Sequence, residues 1–88
     1  MHCSLLERLE VIASRAERKM QRRLQHPDLR SLCLGAAFLA FVHYGGSVAE
    51  VHTFDWERHE EDLIATTTRF ARRDVRAQSE THHVQDRR

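Results

Sequence analysis

The stretch Leu32-Cys-Leu-Gly-Ala-Ala-Phe-Leu-Ala-Phe-Val42 decides the fold of this 88-residue chain. It contains no polar residue, so a helix built from it would be apolar on every face and would have to be covered on all sides. Gly35 and the three alanines are small enough to let neighbouring helices approach closely. The stretch is also far shorter than the roughly 20 apolar residues of a membrane-spanning helix, so we expect no membrane partner.

A first helix is predicted before this stretch. Ser4 and Glu7 form the Ser-x-x-Glu capping box that begins many helices. Apolar residues then recur in steps of three and four, which places them on one face: Leu5, Leu9, Ile12, Ala16, Met20 and Leu24. Pro27 ends this helix and suits the first turn of the next one, because its missing N–H would be unpaired there anyway. The second helix is then expected over residues 29–44.

Gly45-Gly46 is predicted to end the second helix, because glycine tolerates the positive φ that often follows a helix. Two continuations are open. A short fourth helix could run over residues 47–54, or the two glycines could form the turn of a β-hairpin that pairs residues 38–44 with residues 47–54. The second arm alternates poorly between apolar and polar residues, which favours the helix.

A last helix is predicted after Asp55, which can cap it. Acidic residues occupy its first turns and arginines its later ones, the order that the helix dipole favours. From Gln78 onward the chain is polar apart from Val84. We therefore predict one helical domain over residues 1–78 and a disordered polar tail over residues 79–88.

The expected fold is thus all-α: three main helices, with the short fourth as an option, in a small bundle. Chains of this length bury only about 60–65% of their unfolded surface, so we expect dimerisation to complete the bundle. Cys3 and Cys33 form no Cys-x-x-Cys pair, and the N-terminus lacks a secretory pattern, which predicts reduced thiols and a cytoplasmic location. Cys33 is expected in the core, although a Cys3–Cys33 bridge stays open.

The sequence shows no pattern typical of a catalytic, metal or cofactor site. His52 and His59 would share a face of a continuous helix, but a zinc site needs about four ligands at defined spacings. Cys33, the one candidate nucleophile, has apolar sequence neighbours in place of an adjacent base. Gly45-Gly46-Ser47 lacks the spacing and the lysine of a phosphate-binding loop. We therefore expect neither enzyme activity nor a metal nor a cofactor.

Binding to another protein is the function that the sequence favours. Two narrow helical stripes would leave part of the central helix uncovered, and an uncovered apolar face marks an interface. Aromatic residues are common at the centres of interfaces, and the predicted interface comprises Phe38, Phe41, Tyr44, Phe54 and Trp56. The alternative is that the aromatic residues near the turn complete the core. By analogy of size, we predict a homodimeric regulatory or inhibitory protein, similar in action to anti-activators and phage-encoded inhibitors.

Nucleic-acid binding is the alternative function. The net charge of +1 gives no general attraction to phosphate, but cations are concentrated late in the first and last helices. If these two helices lie side by side in parallel, their basic ends meet. The candidate residues are Arg15, Arg18, Lys19, Arg22, Arg23, Arg69, Arg72, Arg73 and Arg76. They could equally pair with the acidic block or remain solvated.

Overall fold

The computed structural model describes residues 4–22 and 27–86, with side chains through residue 78. It contains three α-helices: α1 (Leu5–Gln21), α2 (Leu29–His43) and α3 (Trp56–Asp86). Each helix packs against the other two, and no strand occurs in the described parts of the chain. The expected all-α bundle of three main helices is therefore confirmed. Cys3, Arg23 and Leu24, which carried parts of the sequence predictions, lie outside the described residues.

Helices α1 and α3 begin, and α2 ends, at residues with recognisable capping chemistry. The backbone N–H of Glu7 donates to Ser4 Oγ at 3.2 Å, and that of Arg58 donates to Asp55 Oδ1 at 3.2 Å. After α2, Gly45 has a φ of 87°, and its N–H donates to the carbonyl of Val42. The N–H of Gly46 reaches back to the carbonyl of Phe41, which completes the helix ending that favours glycine.

The segment between α2 and α3 consists of turns with local backbone hydrogen bonds, and none of its described residues lies in a strand. A single 3₁₀ turn, Val48–Glu50, is followed by turns in which the N–H groups of Thr53 and Phe54 both donate to the carbonyl of Glu50. The hairpin alternative is therefore wrong, because these local hydrogen bonds use the groups that a strand pair would need. The optional fourth helix is reduced to this one turn.

Helices α1 and α3 run in the same direction along their contact. The guanidinium of Arg8 lies 5.6 Å from the centre of the Trp56 ring, and further along both helices Arg15 pairs with Glu60. Helix α3 has 31 residues against 17 in α1. It continues past residue 78 to Asp86, although a disordered tail was predicted from residue 79 onward. That domain boundary stays a prediction, because the side chains beyond residue 78 and residues 87–88 lie outside the description.

An aromatic cluster sets the corner between α2 and α3. The ring of Phe41, fully buried, stacks on Trp56 with centroids 5.0 Å apart and planes 2° apart, and meets Phe54 edge-on at 5.0 Å. The indole N–H of Trp56 donates to the carbonyl of Val51 at 2.9 Å, so its polar group is satisfied. A Cβ on Gly46 would lie 2.3 Å from the Phe41 ring, so only glycine fits there.

Three consecutive threonines are buried in α3. Thr66 Oγ1 lies 3.1 Å from Tyr44 Oη, which ties α3 to the end of α2. Thr68 Oγ1 donates to the carbonyl of Ile64 at 2.8 Å. Thr67 Oγ1 has no hydrogen-bond partner among the described residues and is fully buried. A buried hydroxyl without a partner lowers the stability of the folded chain.

Replacing Gly46 with alanine is expected to destabilise the fold. The added Cβ overlaps the Phe41 ring, so the aromatic cluster must shift, at a cost of about 1–3 kcal/mol. Thermal unfolding followed by circular dichroism measures the change. Ser47→Ala is the matched control, since Ser47 is exposed and makes no side-chain cap, and it should change stability by less than about 0.5 kcal/mol. A Gly46→Ala variant as stable as the unaltered chain would contradict this packing.

Thr67→Val is expected to stabilise the chain by about 1 kcal/mol, because it removes an unpaired hydroxyl and keeps the side-chain shape. Thr66→Val is the matched comparison and should destabilise it by a similar amount, because the contact with Tyr44 is lost. Each change corresponds to a melting shift of about 4–8 °C. If both variants lose the same amount of stability, Thr67 must also have a hydrogen-bond partner, which would contradict this prediction.

Candidate functional site

The side of α2 turned away from α1 and α3 is apolar and exposed. Phe38, Leu39 and Val42 keep 38%, 55% and 50% of their surface exposed. Ser31 and Gly35 are exposed on the same side. These five residues form the α2 outer face. Residues 31, 35, 38 and 42 follow one another in steps of four, three and four, the spacing of a straight seam along a helix.

The five aromatic residues predicted as an interface do not form one surface. Phe41 and Trp56 are buried in the aromatic cluster, and Tyr44 and Phe54 are half-buried against it. These four side chains lie in or against the core of the described chain. Their contact with a partner stays a prediction. Phe38 alone of the five is exposed, and its contact with a partner stays a prediction.

Sequence reasoning missed Leu39 and Val42, although a signal for them was present. The small residues Ala36, Ala37 and Ala40 are fully buried, because they lie where α2 approaches its neighbours most closely. Large apolar residues on the opposite side of the same helix must then face outward. The position of the alanines therefore indicates the exposed side, even in a stretch that is apolar throughout.

The predicted cations of α1 line a groove between α1 and α3. This basic groove has a volume of about 730 Å³ and is lined by Arg15, Arg18, Lys19, Arg22, Glu61 and Ile64. Arg15 pairs with Glu60. The other three cations form no ion pair with another described residue. The parallel course of α1 and α3 thus brings the basic end of α1 against α3.

The arginines of α3 do not all reach this groove. Arg69 donates to Thr66 Oγ1 at 3.3 Å, and the guanidinium of Arg73 lies 5.9 Å from the Phe70 ring. Both contacts draw the side chains toward α2, because Thr66 contacts Tyr44 and Phe70 contacts His43.

The remaining arginines are placed by helical register. Arg72 follows Glu61 by eleven residues, which is about three full turns, so it shares the groove face. Arg76 is exposed further along α3. The groove therefore brings together Arg15, Arg18, Lys19 and Arg22 of the predicted cations, whereas Arg69 and Arg73 make contacts outside it. Arg23 lies outside the described residues.

The buried thiol shows the properties of a core residue. Cys33 is fully buried, with its Sγ 3.9 Å from Met20 Sδ. Burial, and to a smaller extent the charge of Glu17, raises the pKa of the thiol to about 11. Cys33 is therefore protonated and unreactive at neutral pH, and its predicted place in the core is confirmed.

Among the described residues, no group of three or more His, Cys, Asp or Glu side chains is placed to hold a metal ion. None of the described helices combines the length and the apolar character needed to cross a membrane. In comparisons with known proteins, no family model, no curated protein and no solved structure matches this chain.

We expect Cys33 to react slowly with a disulfide reagent in the folded chain, because the thiol is both buried and protonated. The experiment uses a Cys3→Ser variant, in which Cys33 is the only thiol, and follows the reaction at mildly alkaline pH. The same variant in denaturant is the control and should react fully and quickly. Rapid reaction of the folded variant would contradict the burial.

Proposed function

We propose that this chain is a small non-enzymatic regulatory protein that acts through the α2 outer face, and that the face pairs with a second copy of the chain. The observation that supports the proposal is the exposure of Phe38, Leu39 and Val42 on one side of one helix. Residues 31–43 contain no Asp, Glu, Lys or Arg, so this side is both apolar and uncharged. Exposed apolar patches of this kind mark protein interaction sites.

A second copy suits the chemistry of this face. In a twofold pair the same surface is used on both chains, so a charge near the twofold axis would meet its own copy and be repelled. The absence of charge from residues 31–43 removes that penalty. Nothing lies within 4 Å of the position of a Cβ on Gly35, so a neighbouring helix can approach closely there. In an antiparallel pair, Gly35 of each copy can receive Phe38 of the other.

The size of the face favours a reversible pair. Three half-exposed apolar side chains on each copy make a smaller contact than that of permanent dimers. A chain that pairs reversibly through one helix face can exchange its second copy for an apolar helix of another protein. In this proposal, regulation or inhibition follows when that helix belongs to the other protein's own subunit contact.

Leu39→Glu and Val42→Glu are expected to turn the associated chain into a monomer, because each change buries a charge in the apolar contact. Sedimentation equilibrium measures the mass, and circular dichroism checks that the helices persist. Val11→Glu is the matched control. It makes nearly the same change on α1, where Val11 is also 50% exposed, and should leave association unchanged.

Two results would contradict the proposal. In the first, Leu39→Glu and Val11→Glu associate as strongly as the unaltered chain. In the second, all three variants weaken association equally, which would reflect a general effect of charge. Phe41→Ala is the comparison for a core residue. Because Phe41 is fully buried, this variant should lose about 3–5 kcal/mol of its free energy of unfolding and should unfold.

A further inference from the structure

The basic groove carries positive charge that α3 does not neutralise. The acidic residues of α3 occupy its first turns, and Arg15 of α1 pairs with one of them, Glu60. After Asp62 the next acidic residue of α3 is Asp74. The cations further along α1 therefore meet only one carboxylate of the groove lining, that of Glu61.

These cations are arranged in a row. Residues 18, 19 and 22 lie three, four and seven positions after residue 15. These offsets place all four residues on one face of α1 over about 10 Å. Arg18, Lys19 and Arg22 are exposed, and they form no ion pair with another described residue. Arg72 lies on the groove face of α3 and extends the row beyond the end of α1. Such a row can contact two or three neighbouring anionic groups at once.

The lining of the groove indicates the kind of anion. Four of the six lining residues are cations, and the one aliphatic residue among them, Ile64, is only 3% exposed. An acidic amphipathic helix would need large apolar side chains to pack its own apolar face against, whereas a phosphodiester backbone needs only charge and hydrogen bonds. Arginine forks bind phosphate oxygens in pairs.

We propose that the basic groove binds the phosphate backbone of nucleic acid, with Arg18, Lys19 and Arg22 contacting successive phosphates. Arg72 adds a contact beyond them. Glu61 opposes binding, because its carboxylate lies among the cations. The proposal goes beyond the interaction at the α2 outer face, since the two surfaces lie on opposite sides of the bundle and are tested separately.

The test uses fluorescence anisotropy of the full chain with labelled, mixed-sequence duplex DNA and single-stranded RNA short enough to hold one chain. Contacts of Arg18, Lys19, Arg22 and Arg72 with four phosphates predict a slope of log affinity against log salt of about −3.6 for the duplex. Affinity for the duplex should therefore fall about 150-fold between about 50 and 200 mM salt. Arg18→Ala, Lys19→Ala and Arg22→Ala should each reduce the steepness of that slope by about 0.9.

Two matched sets of variants locate the site. Glu61→Gln should strengthen binding several-fold, whereas Glu50→Gln, an exposed residue of the 3₁₀ turn, should leave it unchanged. Arg69→Ala and Arg73→Ala remove the same charge from side chains that contact Thr66 and Phe70 and do not line the groove. They should leave the slope of log affinity against log salt unchanged.

Three outcomes would overturn the proposal. The first is no binding, or binding that does not change with salt. The second is an equal loss of affinity in Arg73→Ala and Arg22→Ala, which would mean a diffuse charge effect with no defined site. The third is binding to vesicles of phosphatidylserine and phosphatidylcholine without binding to either nucleic acid, which would assign the groove to a lipid surface.

Discussion

The packing of the Phe41 ring against Trp56, Phe54 and Gly46 determines how the rest of the structure is arranged. With Phe41 buried in this cluster, α2 can take only one rotation about its axis. That rotation turns the alanines of α2 toward α1 and α3, where close approach requires small side chains. It also turns Leu39 outward, so the exposed apolar face is a direct consequence of how the core is closed.

The charge pattern follows from a second constraint, the direction of the helices. The helix dipole favours acidic residues in the first turns and basic ones in the last. Because α1 and α3 run the same way, their basic ends lie toward the same end of the bundle. The acidic start of α3 neutralises cations of α1 only as far as Arg15 and its partner Glu60. The cations beyond that pair have no such partner, which is why the basic groove exists.

The sequence predicted what local chemistry controls and missed what depends on rotation. Ser4, Asp55 and Gly45 carry their own signals for helix ends, and the structure places helix ends at all three. Phe38 and Phe41 are the same residue type in a stretch without polar residues, so only the position of the small alanines on one side of the helix indicates which ring is buried. The contacts of Arg69 with Thr66 and of Arg73 with Phe70 likewise depend on how α3 is turned against its neighbours, which only the packed core decides.

If a second copy of the chain covers the α2 outer face, the mass of the protein in solution must depend on its concentration. Static light scattering of the purified, unaltered chain across a series of concentrations measures this mass. We expect a mass that rises with concentration from that of one 10.4 kDa chain to twice that value and then levels off. A mass of 10.4 kDa at every concentration would contradict pairing through this face.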